Sequence, residues 1–556
     1  MPRRKKTRAK GPLAEQLSRA QALMARDLPG AILTYGKVLD RDPGNARALA
    51  ALRGTTLQQR RSIIRSCVSL VRTGAAPHAL ALSGILSRAN PGDPALAAFE
   101  ARALVVMKQP EAALDRLAPF RSSHPGHAEL RASHGMATAF AGDHAAAAAE
   151  LEPLRQAGAL DAEALNVLAT SLAYLGRLDE AEQVLLPPAR EGALSMSGLY
   201  NLSRQADLSA EPAIIAQIEA VDANPGAPRA DREMAAHALA RIREDQGDTD
   251  GAFRHLAMAN ALKPDEDIRR YMDSMRAAAE RAPVAAARIA APSAPSGHPR
   301  PVFIVGLPRS GTTLAEQILL RHSRVASLGE STRLAGIYNT LCAGGGPIDA
   351  QAFRGAYFAS LPSGAAEAEV LLDKMPSNAF LCGLALKAMP EARVLHCRRH
   401  PMATAFSAFR IRFAEGYDHS HRFATLAEFH RLTETAMALW TRDFPDRIMP
   451  VPYEPLTEAP APWIAGMARF CGLAPEDGLA DYRGSAATVK TASLRQVRQG
   501  IYRGSSEKWK AYAPWLAPLM ADLIEEIAHY EVETEQHIAR QQAEQNLAQD
   551  PKLTCA

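Results

Sequence analysis

A glycine-bounded loop that joins an apolar segment to a helical segment is the clearest candidate for chemistry in the sequence. It lies in FIVGLPRSGTTLAEQIL, where Gly306 and Gly311 occupy the glycine positions of a GxxxxG loop. The backbone N–H groups of such a loop form an anion cradle with the N-terminus of the next helix. Thr312 and Thr313 add hydroxyl donors, so the segment predicts a phosphate site. The alternative is a plain strand–turn–helix with an arginine at the bend.

The loop differs from that of ATP- and GTP-hydrolysing proteins at the position that serves a metal–nucleotide complex. Those proteins need Gly-Lys-Ser/Thr, with the lysine on the β/γ-phosphates and the hydroxyl on Mg²⁺. Here Thr312 holds the lysine position, and the cation is Arg309, earlier in the loop. The apolar segment RVLHCRRHP ends in Arg398 and Arg399, not in an aspartate that could hold Mg²⁺. We therefore expect a polyanionic ligand bound without metal, which favours group transfer from a metal-free anhydride over a kinase or ATPase.

Two segments together resemble a known enzyme family. PRSGTT, followed by RVLHCRRHPMATAFSAF, is similar to the two cofactor-binding elements of sulfotransferases, which take a sulfuryl group from 3′-phosphoadenosine 5′-phosphosulfate (PAPS). The resemblance is to the tyrosylprotein sulfotransferase branch, and to bacterial proteins that carry tetratricopeptide repeats (TPR) before such a domain. It covers roughly residues 301–516, and the ordered set of motifs is more specific than PRSGTT alone.

The resemblance assigns the phosphate-binding residues. The 5′-phosphosulfate would be held by Arg309, Ser310, Gly311, Thr312 and Thr313. Arg399 and Ser407 would hold the 3′-phosphate from a strand end and the following helix, and the alternative for Arg399 is a surface salt bridge. The family carries a further arginine just after the serine. Arg410 and Arg412 straddle that position here, so neither is assigned.

The resemblance also implies a catalytic base. SLGESTR supplies Glu330 at the end of a predicted short strand, residues 324–328, and is similar to the Gly-Glu-x-x-Arg element of the tyrosylprotein branch. Glu330 would take the proton from an acceptor hydroxyl; a phenol has a pKa of about 10, so a positioned carboxylate can assist as the O–S bond forms. Arg333 would contact the acceptor. His322, the nearest histidine, is expected to be structural.

Four more residues receive roles from the resemblance. Lys374, in LLDKMPSNAFL, would stabilise charge on the sulfuryl group and the leaving phosphate; the alternative is a solvated lysine beside Asp373. The segment KTASLRQVRQGIYRGSSEKWKAYAPWL would close over the cofactor, with Ser493 at the phosphosulfate and Lys508 at the 3′-phosphate. The alternative for Ser493 is a helix cap. Tyr453 would contact the adenosine end of the cofactor.

The region before these motifs repeats with the period of a TPR. Gly142 and Gly176 lie 34 residues apart, and Lys108 holds the same position one period earlier. Columns of small or apolar residues share this period: Ala113, Ala147 and Ala181; Leu117, Leu151 and Leu185; and Ala101, Gly135 and Ala169. A chance match between alanine-rich helices is the alternative. We therefore expect residues 12–281 to form an N-terminal all-α TPR solenoid without a reactive cluster, and such arrays bind partners.

The sequence pattern changes after the repeats. Residues 282–300 are rich in Pro, Ala and Ser and predict a linker. Beyond it, PVFIVGLP, ARVLHCRR and RIMPVPY predict buried strands that alternate with helices. We expect residues 301–540 to form an α/β P-loop-type sulfotransferase domain with a mostly parallel sheet. A basic tail at residues 1–11 and a polar tail at residues 541–556 complete the predicted organisation.

Composition and charge exclude several classes of protein. The 556 residues are 47% hydrophobic and 22% charged, unlike a disordered, collagen-like or disulfide-scaffold chain. A net charge of +4 gives no argument for a nucleic-acid partner. The six cysteines form no CxxC pair, which favours a reducing, cytoplasmic location. We expect no secretory signal, and no membrane span because no apolar run reaches ~18 residues.

The combined prediction is a multidomain, PAPS-dependent sulfotransferase that uses no metal. Glu330 would act as base, while Arg309, Lys374 and Ser493 would stabilise charge at sulfur and at the leaving phosphate. The expected acceptor is a protein tyrosine, with the repeats docking a polypeptide substrate or a protein partner. A glycan, lipid or small phenol is the alternative acceptor. A P-loop kinase or triphosphatase and a non-catalytic TPR scaffold are the alternatives from other classes.

Overall fold

Two compact units make up the chain. The computed structural model describes residues 12–72, 75–290, 299–362, 364–413, 416–476, 478–479 and 503–549. The first unit ends at Gln205, and the second begins at Ala206. Ser493, which the resemblance places at the phosphosulfate, lies outside the described residues.

The first unit is a series of helices whose ends follow from local capping signals. The helices are α1 Pro12–Leu23, α2 Leu28–Arg41, α3 Ala46–Arg53, α4 Leu57–Arg72, α5 Ala76–Ala89, α6 Pro94–Val106, α7 Pro110–Ser123, α8 Ala128–Ala141, α9 His144–Gln156, α10 Ala162–Tyr174, α11 Leu178–Arg190 and α12 Met196–Gln205. Asp93, Asp143 and Asp161 accept hydrogen bonds from first-turn N–H groups of α6, α9 and α10. These caps pair backbone donors that a helix start leaves free.

The predicted 34-residue period is confirmed in the helix pairs α6/α7, α8/α9 and α10/α11. The turn within each pair carries a left-handed residue at the same position: Lys108 with a φ of 60°, Gly142 with 99° and Gly176 with 84°. The alanine column at positions 113, 147 and 181 is fully buried. A Cβ atom at Gly135 would lie 2.8 Å from Cγ of Leu151, so the small residue lets α8 and α9 pack closely. These three helix pairs of the first unit therefore repeat as the sequence predicted, while the predicted bounds of the array, residues 12–281, stay a prediction.

The second unit opens with four helices. They are α13 Pro212–Asp222, α14 Arg229–Asp245, α15 Thr249–Ala261 and α16 Asp265–Ala287. The predicted TPR segment is thus divided, since these helices belong to the second unit. α16 places Ala282, Ala285 and Ala286 in the core of the α/β region. The predicted linker is therefore helical over residues 282–287, because alanine strongly favours helix and its small side chain fits this buried contact.

A five-stranded sheet forms the centre of the second unit. The strands are β1 Arg300–Gly306, β2 Val325–Ser327, β3 Val370–Lys374, β4 Arg393–Arg398 and β5 Ile448–Pro452. Their order is β2-β3-β1-β4-β5, and every pairing is parallel. The helices of this region are α17 Thr312–Leu319, α18 Arg333–Leu341, α19 Ala350–Phe358, α20 Cys382–Ala388, α21 Pro401–Phe409, α22 Phe423–Asp443, α23 Tyr453–Glu458, α24 Pro460–Cys471, α25 Ala513–Asp522 and α26 Ile524–Gln549. The predicted α/β class is confirmed.

Both faces of the sheet are buried, as a parallel sheet requires. Alternate residues of β1 enter separate hydrophobic clusters: Phe303 packs with residues of α20 and α22, and Ile304 packs with residues of α17 and α24. Because the strands all run in one direction, Gly306, Lys374 and Arg398 end them at the same edge. Open α/β sheets bind their ligands at this carboxyl edge.

Candidate active site

The loop between β1 and α17 has the backbone of a phosphate cradle. Gly306 has a φ of 141°, Arg309 of 74° and Gly311 of 105°, so three residues leave the conformations usual for L-amino acids. A Cβ atom at Gly311 would lie 2.7 Å from Cδ2 of Tyr453. The strained, non-glycine Arg309 is typical of a functional loop. The loop conformation therefore depends on glycine at both ends, as the motif predicted.

The hydroxyl groups of the loop are buried. Ser310 is 1% exposed, and Thr312 and Thr313 are also buried at the start of α17. Oγ of Ser310 has no hydrogen-bond partner within the described part of the chain. A buried hydroxyl without a partner is unfavourable, so this group is suited to bind a ligand oxygen.

Three predicted phosphate-binding residues meet at the loop. Nε of Arg309 donates to Oγ of Ser407 on α21 at 3.0 Å. Nη1 of Arg399, which follows β4, donates to the carbonyl oxygen of Arg309 at 3.2 Å. The structure thus brings the loop into direct contact with the end of β4 and with α21, which lie about 90 residues further along the chain.

Arg399 is buried and is held by the C-terminal segment. It is 7% exposed, so it is not a surface salt bridge, and burial lowers its pKa. Its guanidinium lies over the ring of Tyr453, 4.7 Å from the centroid. Nη2 donates to the carbonyl oxygen of Ser505 at 2.6 Å, and Nε donates to Oγ of Ser506 at 3.1 Å. The hydroxyls of Tyr453 and Ser505 are hydrogen bonded at 2.9 Å.

The two serines were not among the predicted site residues. Ser505 and Ser506 are adjacent in RGSSEK, inside the basic segment expected to close over the cofactor. The sequence feature that could have identified them as site residues is this pair of hydroxyl side chains within a basic segment. Arg398, by contrast, pairs with Glu434 and Glu533. It lines a small cavity together with Ser310 and Arg399, but its charge is compensated by these two carboxylates.

Lys374 and Glu330 form an ion pair at the carboxyl edge of the sheet. Nζ of Lys374 lies 2.5 Å from Oε1 of Glu330. The ammonium group is almost fully buried, with the lysine side chain 1% exposed, which excludes a solvated lysine. The carboxylate of Glu330 remains accessible, with 39% of its side chain exposed. The backbone supports the pair, since the N–H of Lys374 donates to the carbonyl of Gly329 at 3.0 Å.

A second carboxylate, absent from the prediction, lies on the other side of Lys374. Oε2 of Glu316, on α17, is 3.9 Å from Nζ of Lys374. Its Oε1 accepts a hydrogen bond from Oγ of Ser327 at 2.6 Å. Burial raises the pKa of Glu316, and Lys374 opposes this effect. Glu316 thus connects the helix of the phosphate loop to the ion pair.

Asp373 has a structural role. The carboxylate is fully buried and accepts hydrogen bonds from Oη of Tyr357 and Nδ2 of Asn378, each at 3.1 Å. Burial raises the pKa of Asp373 to about 7. His322 is also buried, with Nε2 3.0 Å from the carbonyl oxygen of Ala474. Both residues organise the ends of elements near the site.

The remaining predicted residues have partners away from the loop. Arg333 donates to the carbonyl oxygens of Tyr357, Ala359 and Ser360, at the end of α19. Nζ of Lys508 lies 3.4 Å from Oε1 of Glu244 on α14. The contact of Arg333 with an acceptor stays a prediction, because its guanidinium already binds backbone oxygens.

The two arginines left unassigned in the sequence differ in their partners. Arg410 pairs with Glu244, the same carboxylate that Lys508 approaches. Nε of Arg412 lies 3.3 Å from Oε1 of Glu233, further toward the start of α14. Arg410 is therefore the arginine that shares a partner with a predicted phosphate-binding residue.

Other features of the described residues bear on ligands and environment. No group of three or more His, Cys, Asp or Glu side chains is arranged to hold a metal ion in the part of the chain that the structure describes. None of the described helices is long and apolar enough to cross a membrane. Cys67, Cys342, Cys382, Cys397 and Cys471 are buried and carry free thiols.

Comparison with known proteins gives matches in both parts of the chain. An uncharacterised protein of Aquifex aeolicus (strain VF5) is 31% identical over 389 residues, which are 65% of this chain and 50% of that protein. This chain thus spans half the length of that curated relative. A tetratricopeptide repeat protein from Parabacteroides merdae ATCC 43184 is 14% identical with a TM-score of 0.32, covering 46% of this chain and 95% of that chain.

The sulfotransferase matches lie in the second unit. The sulfotransferase domain of the Synechococcus PCC 7002 olefin synthase is 21% identical with a TM-score of 0.30, covering 40% of this chain and 90% of that chain. Residues 301–343 and 346–477 match the Sulfotransferase family. The matched residues include the phosphate loop, Glu330, Lys374 and Arg399. The C-terminal region of this chain therefore contains a domain of the sulfotransferase family.

Proposed function

We propose that this protein transfers a sulfuryl group from PAPS to an acceptor hydroxyl. When bound, PAPS supplies an activated sulfuryl group on a mixed anhydride whose leaving group is a phosphate. The observation that supports the proposal most directly is the ion pair between Lys374 and Glu330, 2.5 Å apart at the sheet edge that also carries the loop. It places a cation and a proton acceptor side by side, which transfer to a hydroxyl needs.

The residues present suit a nucleotide with phosphates at both ends. The unpartnered, buried hydroxyl of Ser310 is suited to a ligand oxygen, and the loop supplies backbone donors beside it. The residues proposed to hold the 5′-phosphosulfate are Arg309, Ser310, Gly311, Thr312 and Thr313. Ser493, outside the described residues, is proposed to contact it as well. Those proposed for the 3′-phosphate are Arg399, Ser407 and Lys508, with Tyr453 toward the adenosine.

Glu330 is proposed as the base that takes the acceptor proton. Its side chain is 39% exposed, so an acceptor can approach the carboxylate from outside. Lys374 holds the carboxylate in place and stabilises charge that develops at sulfur and at the leaving phosphate, together with Arg309. Glu316 keeps the buried ammonium compensated when the carboxylate of Glu330 becomes neutral on taking up the proton.

The proposed acceptor is a tyrosine in a protein or peptide. The proposal is supported by the Gly-Glu-x-x-Arg sequence at Glu330 and by a helical-repeat unit in the same chain, an architecture that commonly docks polypeptides. The repeats would present the substrate or a partner protein. A cytoplasmic location is proposed with it, since buried free thiols suit a reducing compartment.

Calorimetry with 3′-phosphoadenosine 5′-phosphate and with ATP, both in the presence of a chelator, tests the cofactor. We expect clear binding of the former and a large loss of affinity in Arg399→Ala. Tighter binding of ATP, dependent on added Mg²⁺, would overturn the proposal in favour of a kinase or triphosphatase. Transfer from PAPS to a panel of tyrosine peptides, glycans and small phenols then tests the acceptor, and preference for a glycan or phenol would reject the tyrosine.

A further inference from the structure

A carboxylate of α14 binds two cations near the proposed phosphate site. Glu244 pairs through Oε2 with Nη2 of Arg410. Its Oε1 lies 3.4 Å from Nζ of Lys508 and 3.4 Å from Oη of Tyr512. Arg241, on the same helix, lies 3.9 Å away. The carboxylate is largely buried, with 18% of its side chain exposed. The carboxylate of Glu244 thus pairs with cationic side chains from two separate segments of the second unit.

Each of the two cations lies on a segment that also accepts a hydrogen bond from Arg309 or from Arg399. On α21, Ser407 accepts a hydrogen bond from Arg309, and Arg410 follows at the end of the same helix. In the C-terminal segment, Lys508 follows the two serines that bind Arg399. Glu244 is therefore connected, through two short segments of chain, to the residues proposed for the 3′-phosphate.

The charge state of this carboxylate matters for any anion that approaches the same cations. Burial raises the pKa of Glu244, but Arg410 and Lys508 outweigh it, so the pKa is lowered overall and the group is an anion. Burial lowers the pKa of Lys508. A phosphate bound to Lys508 would lie close to Glu244, and two anions in a poorly hydrated site repel each other.

We propose that Glu244 is a positioning residue that competes with the 3′-phosphate of the nucleotide for Arg410 and Lys508. This inference rests on the proposed function, in which Lys508 binds that phosphate. Glu244 holds the two cations in place when no nucleotide is bound, and a 3′-phosphate dianion draws them away. Because PAPS and the product of sulfuryl transfer both carry the 3′-phosphate, this competition weakens the binding of both, and it thereby eases release of the product.

Glu244→Gln tests the proposal, because it keeps the shape of the side chain and removes its charge. Calorimetry is done with 3′-phosphoadenosine 5′-phosphate and with adenosine 5′-phosphate, which lacks the 3′-phosphate. We expect the variant to bind the first about tenfold more tightly than wild type and the second unchanged, as removal of one nearby like charge predicts. In steady-state transfer assays, product inhibition should strengthen by the same factor.

Glu233→Gln is the matched control. Glu233 also lies on α14 and faces an arginine, since its Oε1 is 3.3 Å from Nε of Arg412. We expect this variant to bind both nucleotides as wild type does. A gain of affinity in Glu233→Gln equal to that in Glu244→Gln would mean a general charge effect and would overturn the specific role of Glu244.

The proposal also fails if Glu244→Gln binds 3′-phosphoadenosine 5′-phosphate no more tightly than wild type, or if both nucleotides gain equally. Should Glu244→Gln not fold, Glu244→Asp replaces it: the shorter, still charged side chain retracts from Lys508, and an affinity equal to wild type rejects the proposal. Wild-type protein that binds no 3′-phosphoadenosine 5′-phosphate contradicts the proposed function itself, so the two failures are distinguishable.

Discussion

Nζ of Lys374 and Oε1 of Glu330 lie 2.5 Å apart, joining the end of β3 to the loop that follows β2. The lysine is buried and the glutamate is accessible, so the pair presents a carboxylate to solvent while its counter-charge stays inside the fold. Glu316 lies on the inner side of the same ammonium, 3.9 Å away. The ammonium is therefore compensated from both sides, which a buried cation requires.

Replacement of Glu330 by glutamine should abolish most of the transfer activity. The amide cannot accept the acceptor proton, so we expect the rate to fall roughly 10²–10⁴-fold. Binding of 3′-phosphoadenosine 5′-phosphate should not weaken, because Glu330 is not among the proposed phosphate ligands. Radiometric transfer to a tyrosine peptide and calorimetry measure the two effects. Glu369→Gln, an exposed glutamate paired with Arg324, is the control, and activity of Glu330→Gln equal to that of this control would reject the base.

Replacement of Lys374 by methionine should destabilise the second unit in a pH-dependent way. It leaves Glu316 buried without a cation, which costs about 3 kcal/mol. Burial raises the pKa of Glu316 and Lys374 opposes this effect, so loss of Lys374 raises the pKa further; an acid with a raised pKa in the folded state loses stability as pH rises. Stability should therefore fall more at pH 9 than at pH 6.

Urea unfolding followed by tryptophan fluorescence measures this effect in the second unit, because Trp440, Trp463, Trp509 and Trp515 are the four tryptophans of the chain. The double variant Lys374→Met/Glu316→Gln should lose the added pH dependence. Equal loss of stability at both pH values in the single variant would contradict the role of Glu316 as a buried counter-charge.

Replacement of Gly311 by alanine should weaken nucleotide binding by more than its effect on stability. The left-handed backbone costs about 1–2 kcal/mol for any residue with a Cβ. The added Cβ would also push the ring of Tyr453, which lies over Arg399, and a shift of this kind should weaken 3′-phosphoadenosine 5′-phosphate binding about tenfold or more. Gly364→Ala is the control, since Gly364 has a φ of 80° and open space around it. If the two variants bind the nucleotide equally well, the contact with Tyr453 is unimportant.

Replacement of Asp373 by asparagine should change how stability depends on pH. The pKa of Asp373 is raised to about 7 by burial, so the folded protein holds a proton that the unfolded chain releases near pH 4. The stability from this group is complete below pH 4 and is lost as pH rises to about 7. Between pH 5.5 and pH 8 wild type should therefore lose about 2 kcal/mol relative to Asp373→Asn.

Tryptophan-detected urea unfolding at the two pH values measures this difference. Asparagine keeps the size of the side chain and can accept from Oη of Tyr357, but its amide nitrogen cannot accept from Nδ2 of Asn378; this loss lowers stability about equally at the two pH values and leaves the difference between them unaffected. Parallel pH dependence in the two proteins would show that Asp373 is already ionised in the folded state at pH 5.5.

The repeat period, the three apolar strands and the glycine-bounded loop could all be predicted from the sequence, because each is a local property. A left-handed turn position needs glycine or a tolerant residue such as Lys108, and it recurs every 34 residues in the chain. A buried strand needs a short apolar run, and a phosphate loop needs glycine at both ends. The sequence analysis did not identify strand β3, Val370–Lys374, and it ended the helical region too early, since α16 continues through residues 282–287.

The tertiary structure alone decided which polar groups meet. Glu316 and Glu244 carry no local signal, because an acidic residue within a helix is ordinarily solvated. They acquire roles only when folding brings Lys374, Arg410 and Lys508 next to them and removes the water between. Likewise Arg399 donates to the carbonyl oxygen of Arg309, whereas its neighbour Arg398 pairs with Glu434 and Glu533, and nothing in the sequence separates the two arginines. Charge pairing in a folded protein depends on distance and burial, and neither is a property of the linear chain.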